Sequence, residues 1–228
     1  MSQWREIEHS MPDDNEIWDE FKWEEFMKQQ DKKVDRYMEL FYRHQDDPNR
    51  DEIIAREMGW TWLLDEDHAE DPPPVSNEEE IEEGEGWKAA AGLESDEPFE
   101  YYQFKNLPVY RLSHEFALRA FRFVDQLPES ARGDSAVVDF VSNAMIAGAK
   151  IAGGTGIGDD RDELGGNIAY CKRGLAASNL TIAALHEMNE KHIVDDKDYA
   201  GLIKEATEVR NAIALHVVDL REKFRRGV

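Results

Sequence analysis

Four long stretches in the second half of the chain place apolar residues at alternating three- and four-residue steps, a pattern that narrows the fold to packed helices. Residues 108–126 align Leu112, Phe116, Ala120, Phe123 and Leu127, and residues 134–152 align Val137, Val141, Ala144, Gly148 and Ile151. Residues 160–191 align Leu164, Ile168, Cys171, Leu175, Ser178, Ile182 and Leu185. Residues 196–225 align Leu202, Ala206, Val209, Ile213, Val217, Leu220 and Phe224. Such spacing runs an apolar stripe along one helix face, which other helices must cover. The mixed period suits left-handed packing, and short connections near 128–133, 153–159 and 192–195 make neighbours antiparallel. The prediction is an all-α protein: an up-down antiparallel four-helix bundle over 104–228 with an acidic helical N-terminal extension.

That extension reads less regularly. Residues 1–15 carry no period and are expected to fray. Residues 16–44 read as a helix through Trp18, Phe21, Met27, Val34, Met38 and Phe41, stopped by Asp46-Asp47-Pro48. The stretch "NRDEIIAREMGWTWLL" reads as a second helix with Gly59 as its C-terminal cap, leaving Trp60, Trp62 and Leu63 in need of packing partners. Residues 65–100 hold 15 acidic side chains and the Pro72-Pro73-Pro74 run, the composition of a solvated linker. The domain expectation is therefore a helical extension over 1–64, a disordered acidic linker over 65–103 and the bundle over 104–228.

Charge separates the halves. Residues 1–105 carry 11 basic and 32 acidic side chains, whereas residues 106–228 carry 16 and 18. The acidic half repels phosphate backbones and suits a basic protein partner. A single cysteine, Cys171, excludes an intramolecular disulfide and fits a reducing compartment. No run of about 18 apolar residues suggests a membrane span. The opening "MSQWREIEHSMPDDNE" has neither the basic start nor the apolar core of a secretory signal, so a cytoplasmic location is expected.

The glycine-rich stretch "AGAKIAGGTGIGDDRDE" invites comparison with a phosphate cradle. A cradle of that kind follows a strand and ends in Gly-Lys-Ser/Thr or a similar amide-rich turn. Here a helix precedes Gly153, Gly154, Gly156 and Gly158, and Asp159-Asp160 would repel phosphate. The predicted role is a corner, with glycines closing one helix and aspartates capping the next.

Other chemistry is thinly represented. The one Glu-x-x-His pair, Glu6 and His9, sits in the N-terminal stretch, and His114, His186, His192 and His216 fall at unrelated spacings. His216 reads as a half-buried histidine beside the seam, and Cys171 as a small core residue rather than a nucleophile. Glu187 with Glu190 and Glu205 with Glu208 resemble paired carboxylates of all-α magnesium-dependent nucleotide pyrophosphohydrolases. About 10 Å of axial offset separates the two pairs if the turn centres near Val194, too far to share an ion. No catalytic residue, metal ligand or cofactor is expected. Nucleic-acid binding, if present, would use Lys150, Lys172, Arg173, Arg221, Lys223, Arg225 and Arg226 and weaken steeply with salt.

The segments "FKNLPVYRLSHEFALRAFRFVDQLP", "NAMIAGAKIAGGTG" and "YCKRGLAASNL" resemble the four-helix-bundle proteins encoded by intervening sequences of bacterial 23S rRNA genes. They are similar as well to the related accessory proteins of diversity-generating retroelements. The resemblance covers residues 104–226. It rests on Phe104, Leu107, Val109 and Tyr110 at the opening, Leu127-Pro128 after the first helix, Ile151, Ala152 and Gly154 at the corner, and Cys171 to Ala176. It implies a non-enzymatic protein that forms ring-like homo-oligomers. In the retroelement members it implies binding of nucleic acid and a reverse transcriptase through a basic surface. The near-neutral bundle and the acidic N-terminal half depart from that family pattern. Small residues on the third helix (Gly165, Gly166, Ala169, Gly174, Ala176, Ala177, Ala183 and Ala184) would admit close helix approach. The reading is a non-catalytic homo-oligomeric scaffold or adaptor, with nucleic-acid accessory module and magnesium-dependent hydrolase as the alternatives.

Overall fold

A computed structural model describes residues 16–64 and 104–227. The expectations for residues 1–15, including Glu6 and His9, and for the linker lie outside the described residues, as do the side chains of Trp62 and Leu63. The chain is all-α, with seven α-helices and no strand among the described residues. They are α1 (Glu20–Arg43), α2 (Arg50–Met58), α3 (Pro108–Gln126), α4 (Glu129–Arg132), α5 (Ser135–Ile157), α6 (Leu164–Glu190) and α7 (Asp196–Arg226), with a 3-10 turn at Thr61–Leu64.

Local chemistry sets several of the helix ends. Asp19 Oδ1 accepts from the Phe21 and Lys22 amides, Asp134 from Ala136 and Asp195 from Asp198, each relieving a donor that helix geometry leaves unmet. Pro108 opens α3, where its missing N–H costs nothing. Gly59 takes the left-handed conformation (φ 78°) that closes α2, as its position predicts.

The glycine-rich stretch bears out the corner reading only in part: Gly158 ends α5, but the other three glycines do not turn the chain. Helix α5 runs through Gly153, Gly154 and Gly156 to Ile157, and of these glycines only Gly158 has positive φ (132°). The helical glycines serve close approach instead. A Cβ at Gly153 would lie 3.1 Å from the Tyr170 ring, and one at Gly154 would lie 2.8 Å from Asn167 Oδ1. Helix α6 accordingly starts at Leu164, and Glu163 at its cap position makes no side-chain cap bond. Asp160 offers its backbone carbonyl to the Glu163 and Leu164 amides, while Asp159 binds Lys223 at 2.6 Å, so neither aspartate caps α6.

The described chain divides into two compact units, residues 16–25 with 104–227, and residues 26–64. In the larger one α3 packs on α5, α5 on α6, α6 on α7 and α7 back on α3, with α5 and α6 in the most extensive contact. The core lies among these four helices. Phe140 is fully buried and meets Phe116 and Phe123 edge-on at ring separations of 6.2 and 6.4 Å. The predicted seams supply most of its lining, with Leu112, Phe123, Leu175, Ile182 and Phe224 half-buried at its margin and Val141 half-buried away from it.

Among the described residues one helix, α5, is long and apolar enough to cross a membrane by length and composition alone. Its most apolar 18-residue window has a mean hydropathy of 1.3 and is 39% buried, values that a core helix of a soluble protein also reaches. Alanine and glycine spread its apolarity around the whole circumference, so no uninterrupted apolar run was needed.

In residues 26–64 the buried face differs from the expected seam. Met27 is buried as expected, but Val34 and Met38 are exposed and Leu40 is fully buried. Leu40, Ile54 and Ala55 form the apolar centre, and Trp60 stacks on Tyr37 at 6.0 Å. Arg36 bonds Glu39 and Glu57, both at 2.9 Å, and the Arg50 guanidinium lies 4.7 Å from the Phe41 ring centre.

Candidate functional site

Three of the seven predicted cations come together on α6 and α7, and residues 16–25 cover them. Lys172 and Arg173 leave α6 beside Arg221 of α7. Arg221 grips Glu20 with two donors, Nε to Oε1 at 2.8 Å and a terminal nitrogen to Oε2 at 2.7 Å. Lys172 Nζ reaches the same carboxylate at 2.8 Å and sits 4.8 Å from the Phe21 ring centre. Arg173 holds Glu24 through Nε at 3.1 Å and a second nitrogen at 3.3 Å. Two paired forks of this kind fix orientation as well as charge.

The Glu20 side chain is only 12% exposed, which distinguishes it from the surface ion pairs elsewhere. Burial pushes its carboxyl up, but hydrogen bonds and charges from Arg221 and Lys172 outweigh burial and hold it below the ordinary glutamate range. Glu20 also raises the Arg221 guanidinium further above its ordinary value, chiefly through the shared hydrogen bonds.

The clasp depends on Gly165 and Gly166. A Cβ at Gly165 would run into the Trp18 carbonyl oxygen, and one at Gly166 would lie 3.1 Å from the Trp23 ring. Trp18 and Trp23 meet edge-on at 5.8 Å. The glycine pair therefore provides a seat for a backbone and an indole where any side chain would intrude. Sequence reasoning missed Glu20, Glu24, Trp18 and Trp23 as parts of a site. The available signal was a glycine pair inside a helix, at a place where no turn requires one.

The remaining predicted cations are engaged locally. Lys150 lies 5.1 Å from the Tyr170 ring centre, Lys223 binds Asp159, Arg225 donates to the Arg221 carbonyl at 3.3 Å, and Arg226 pairs with Glu222. The four candidate magnesium carboxylates do not converge. Glu187 binds Lys191 at 2.7 Å, Glu205 binds Arg119 at 2.7 Å, Glu208 lies 4.0 Å from Lys204, and Glu190 is exposed. Among the described residues no three His, Cys, Asp or Glu side chains form a metal-binding group.

The histidines are placed singly. His186 Nδ1 meets the Tyr199 hydroxyl at 2.7 Å, and His114 stacks on Tyr110. His216 is half-buried, and burial first of all lowers its pKa. Cys171 is fully buried, and burial pushes its thiol up to about 12, which keeps it protonated and unreactive near neutral pH. The clasp is thus an anion-holding surface occupied by the chain's own carboxylates. No family model, no curated protein and no solved structure matches the chain.

Proposed function

We propose that the chain is a non-catalytic, self-associating scaffold whose residues 104–227 form an up-down antiparallel four-helix bundle. The closed cycle of contacts from α3 through α5, α6 and α7 supports that topology. The register supports it too, because Ser113 lies against Gly148 whereas Phe116 and Phe123, further along α3, lie against Phe140, earlier on α5.

The observation that carries self-association is the exposure of Leu118 and Phe121 on α3 and of Val138 and Met145 on α5. Large apolar side chains left exposed on two helices that pack together suit an interaction surface. The resemblance of residues 104–226 to the rRNA intervening-sequence proteins points the same way. The acidic N-terminal half serves in this reading to engage a basic partner protein. Sedimentation equilibrium of the full chain tests the proposal. A stable oligomer at about 10 µM is the expected result, and a monomer at ten times that concentration overturns it.

A nucleic-acid accessory role is the second reading, favoured by the gathering of Lys172, Arg173 and Arg221 into one surface. Glu20 and Glu24 occupy that surface as phosphate would, so binding requires the clasp to open. Replacing both with glutamine is expected to raise salt-sensitive RNA affinity at least tenfold. Unchanged affinity excludes a nucleic-acid site beneath the clasp.

A further inference from the structure

The exposed face of α3 carries a charge pattern that selects its own occupant. Arg111, Glu115, Leu118, Arg122 and Asp125 follow one another at four-, three-, four- and three-residue steps, so they form one stripe along the helix. All five are exposed, on the side opposite the buried Val109, Ser113, Phe116 and Ala120. Arg119, beside the stripe, is already committed to Glu205 at 2.7 Å. Arg111, Glu115 and Arg122 make no ion pair among the described residues. Asp125 has Arg132 at 3.7 Å, loose enough to share.

Read from one end the stripe runs positive, negative, Leu118, positive, negative. Two such stripes laid antiparallel about Leu118 set Arg111 against Asp125 and Glu115 against Arg122, twice over. Parallel in-register pairing sets every charge against its like. We propose that two copies of this chain associate through α3, antiparallel about a two-fold axis at Leu118. The inference rests on the self-association reading above and names its surface and symmetry.

The stripe has the apolar centre that an interface needs. Leu118 is 42% exposed and meets its own copy on the axis. Phe121 is 56% exposed, and Val138 and Met145 are exposed on α5, which packs against α3. Aromatic and methionine side chains at the centre with charges at the rim match the anatomy of protein interfaces. A bilayer is a poor occupant, because the stripe would carry four charges into hydrocarbon. A second copy satisfies each of them.

Charge reversal on the full-length chain tests the pairing. One variant carries Arg111→Glu with Arg122→Glu, which leaves four negative charges on the stripe. The other carries Glu115→Arg with Asp125→Arg, which leaves four positive charges. Circular dichroism verifies that each retains the helix content of the wild type. In sedimentation equilibrium the wild type is expected to associate, each variant alone to weaken at least tenfold, and their equimolar mixture to recover association. Variants that associate like the wild type overturn the α3 pairing and leave self-association standing. So does a mixture that fails to recover. A monomeric wild type overturns both.

Discussion

Residues 26–64 and residues 104–227 are both helical, yet different forces hold them. The larger region buries Phe140, Ile151, Leu164, Ile168, Leu185, Met188, Leu202 and Ile213 almost completely, and apolar burial of that extent dominates folding. The smaller one buries little beyond Met27, Leu40, Ile54 and Ala55. Its helices are laced by Arg36 with Glu39 and Glu57, Arg43 with Glu39, Arg56 with Glu52, and Arg50 with Asp51. Exposed pairs of this sort contribute at most about 1 kcal/mol each. The contrast teaches that equal helix content hides unequal apolar burial, and that the smaller region leans more heavily on surface ion pairs.

Truncation in the core of each region breaks the comparison hardest. Phe140→Ala removes the ring at the meeting of α3 and α5 and is expected to cost about 3–5 kcal/mol, lowering the main thermal transition. Leu40→Ala is expected to cost about 2–4 kcal/mol, confined to residues 26–64. Hydrogen exchange resolved by segment checks the separation. Equal loss of protection in both regions after Leu40→Ala would mean that the two unfold as one.

The clasp is the next target. Gly165→Ala places a methyl against the Trp18 carbonyl, and Glu20→Gln removes the charge gripped by Arg221 and Lys172. Each is expected to weaken docking of residues 16–25 by about 2 kcal/mol and raise their exchange, with α5 and α6 unaffected. Acid acts on the same contact. Glu20 has its pKa lowered in the folded state, so its contribution is complete above the ordinary glutamate value and disappears as pH falls through the lowered one. Exchange of residues 16–25 should therefore accelerate on acidification before that of α5. Salt gives the smallest effect. Raising it to 1 M should loosen residues 26–64 by less than about 1 kcal/mol and hardly touch the apolar core. A reversed order of sensitivity would show that ion pairs are not what holds the smaller region.

The clasp also changes how the protein is best divided. A cut at residue 100, natural from composition, would remove residues 16–25 from the compact unit to which they belong. Composition marks where acidity ends. It contains nothing about Trp18 and Trp23 resting on Gly165 and Gly166, because that contact joins residues some 145 positions apart.

By itself the sequence determined that the chain is helical, where four of the helices run and which faces they bury. Periodicity and capping are local, and Phe116, Ile151, Ile168 and Ile213 could be assigned from their spacing alone. Tertiary structure decided what the glycines do and where the cations point. Gly154 looks the same in a sequence whether it turns a chain or admits Asn167, and Arg221 the same whether it is free or clasped by Glu20. Helix-breaking is a weak propensity that close packing overrides, and an ion pair exists only once distant segments have met.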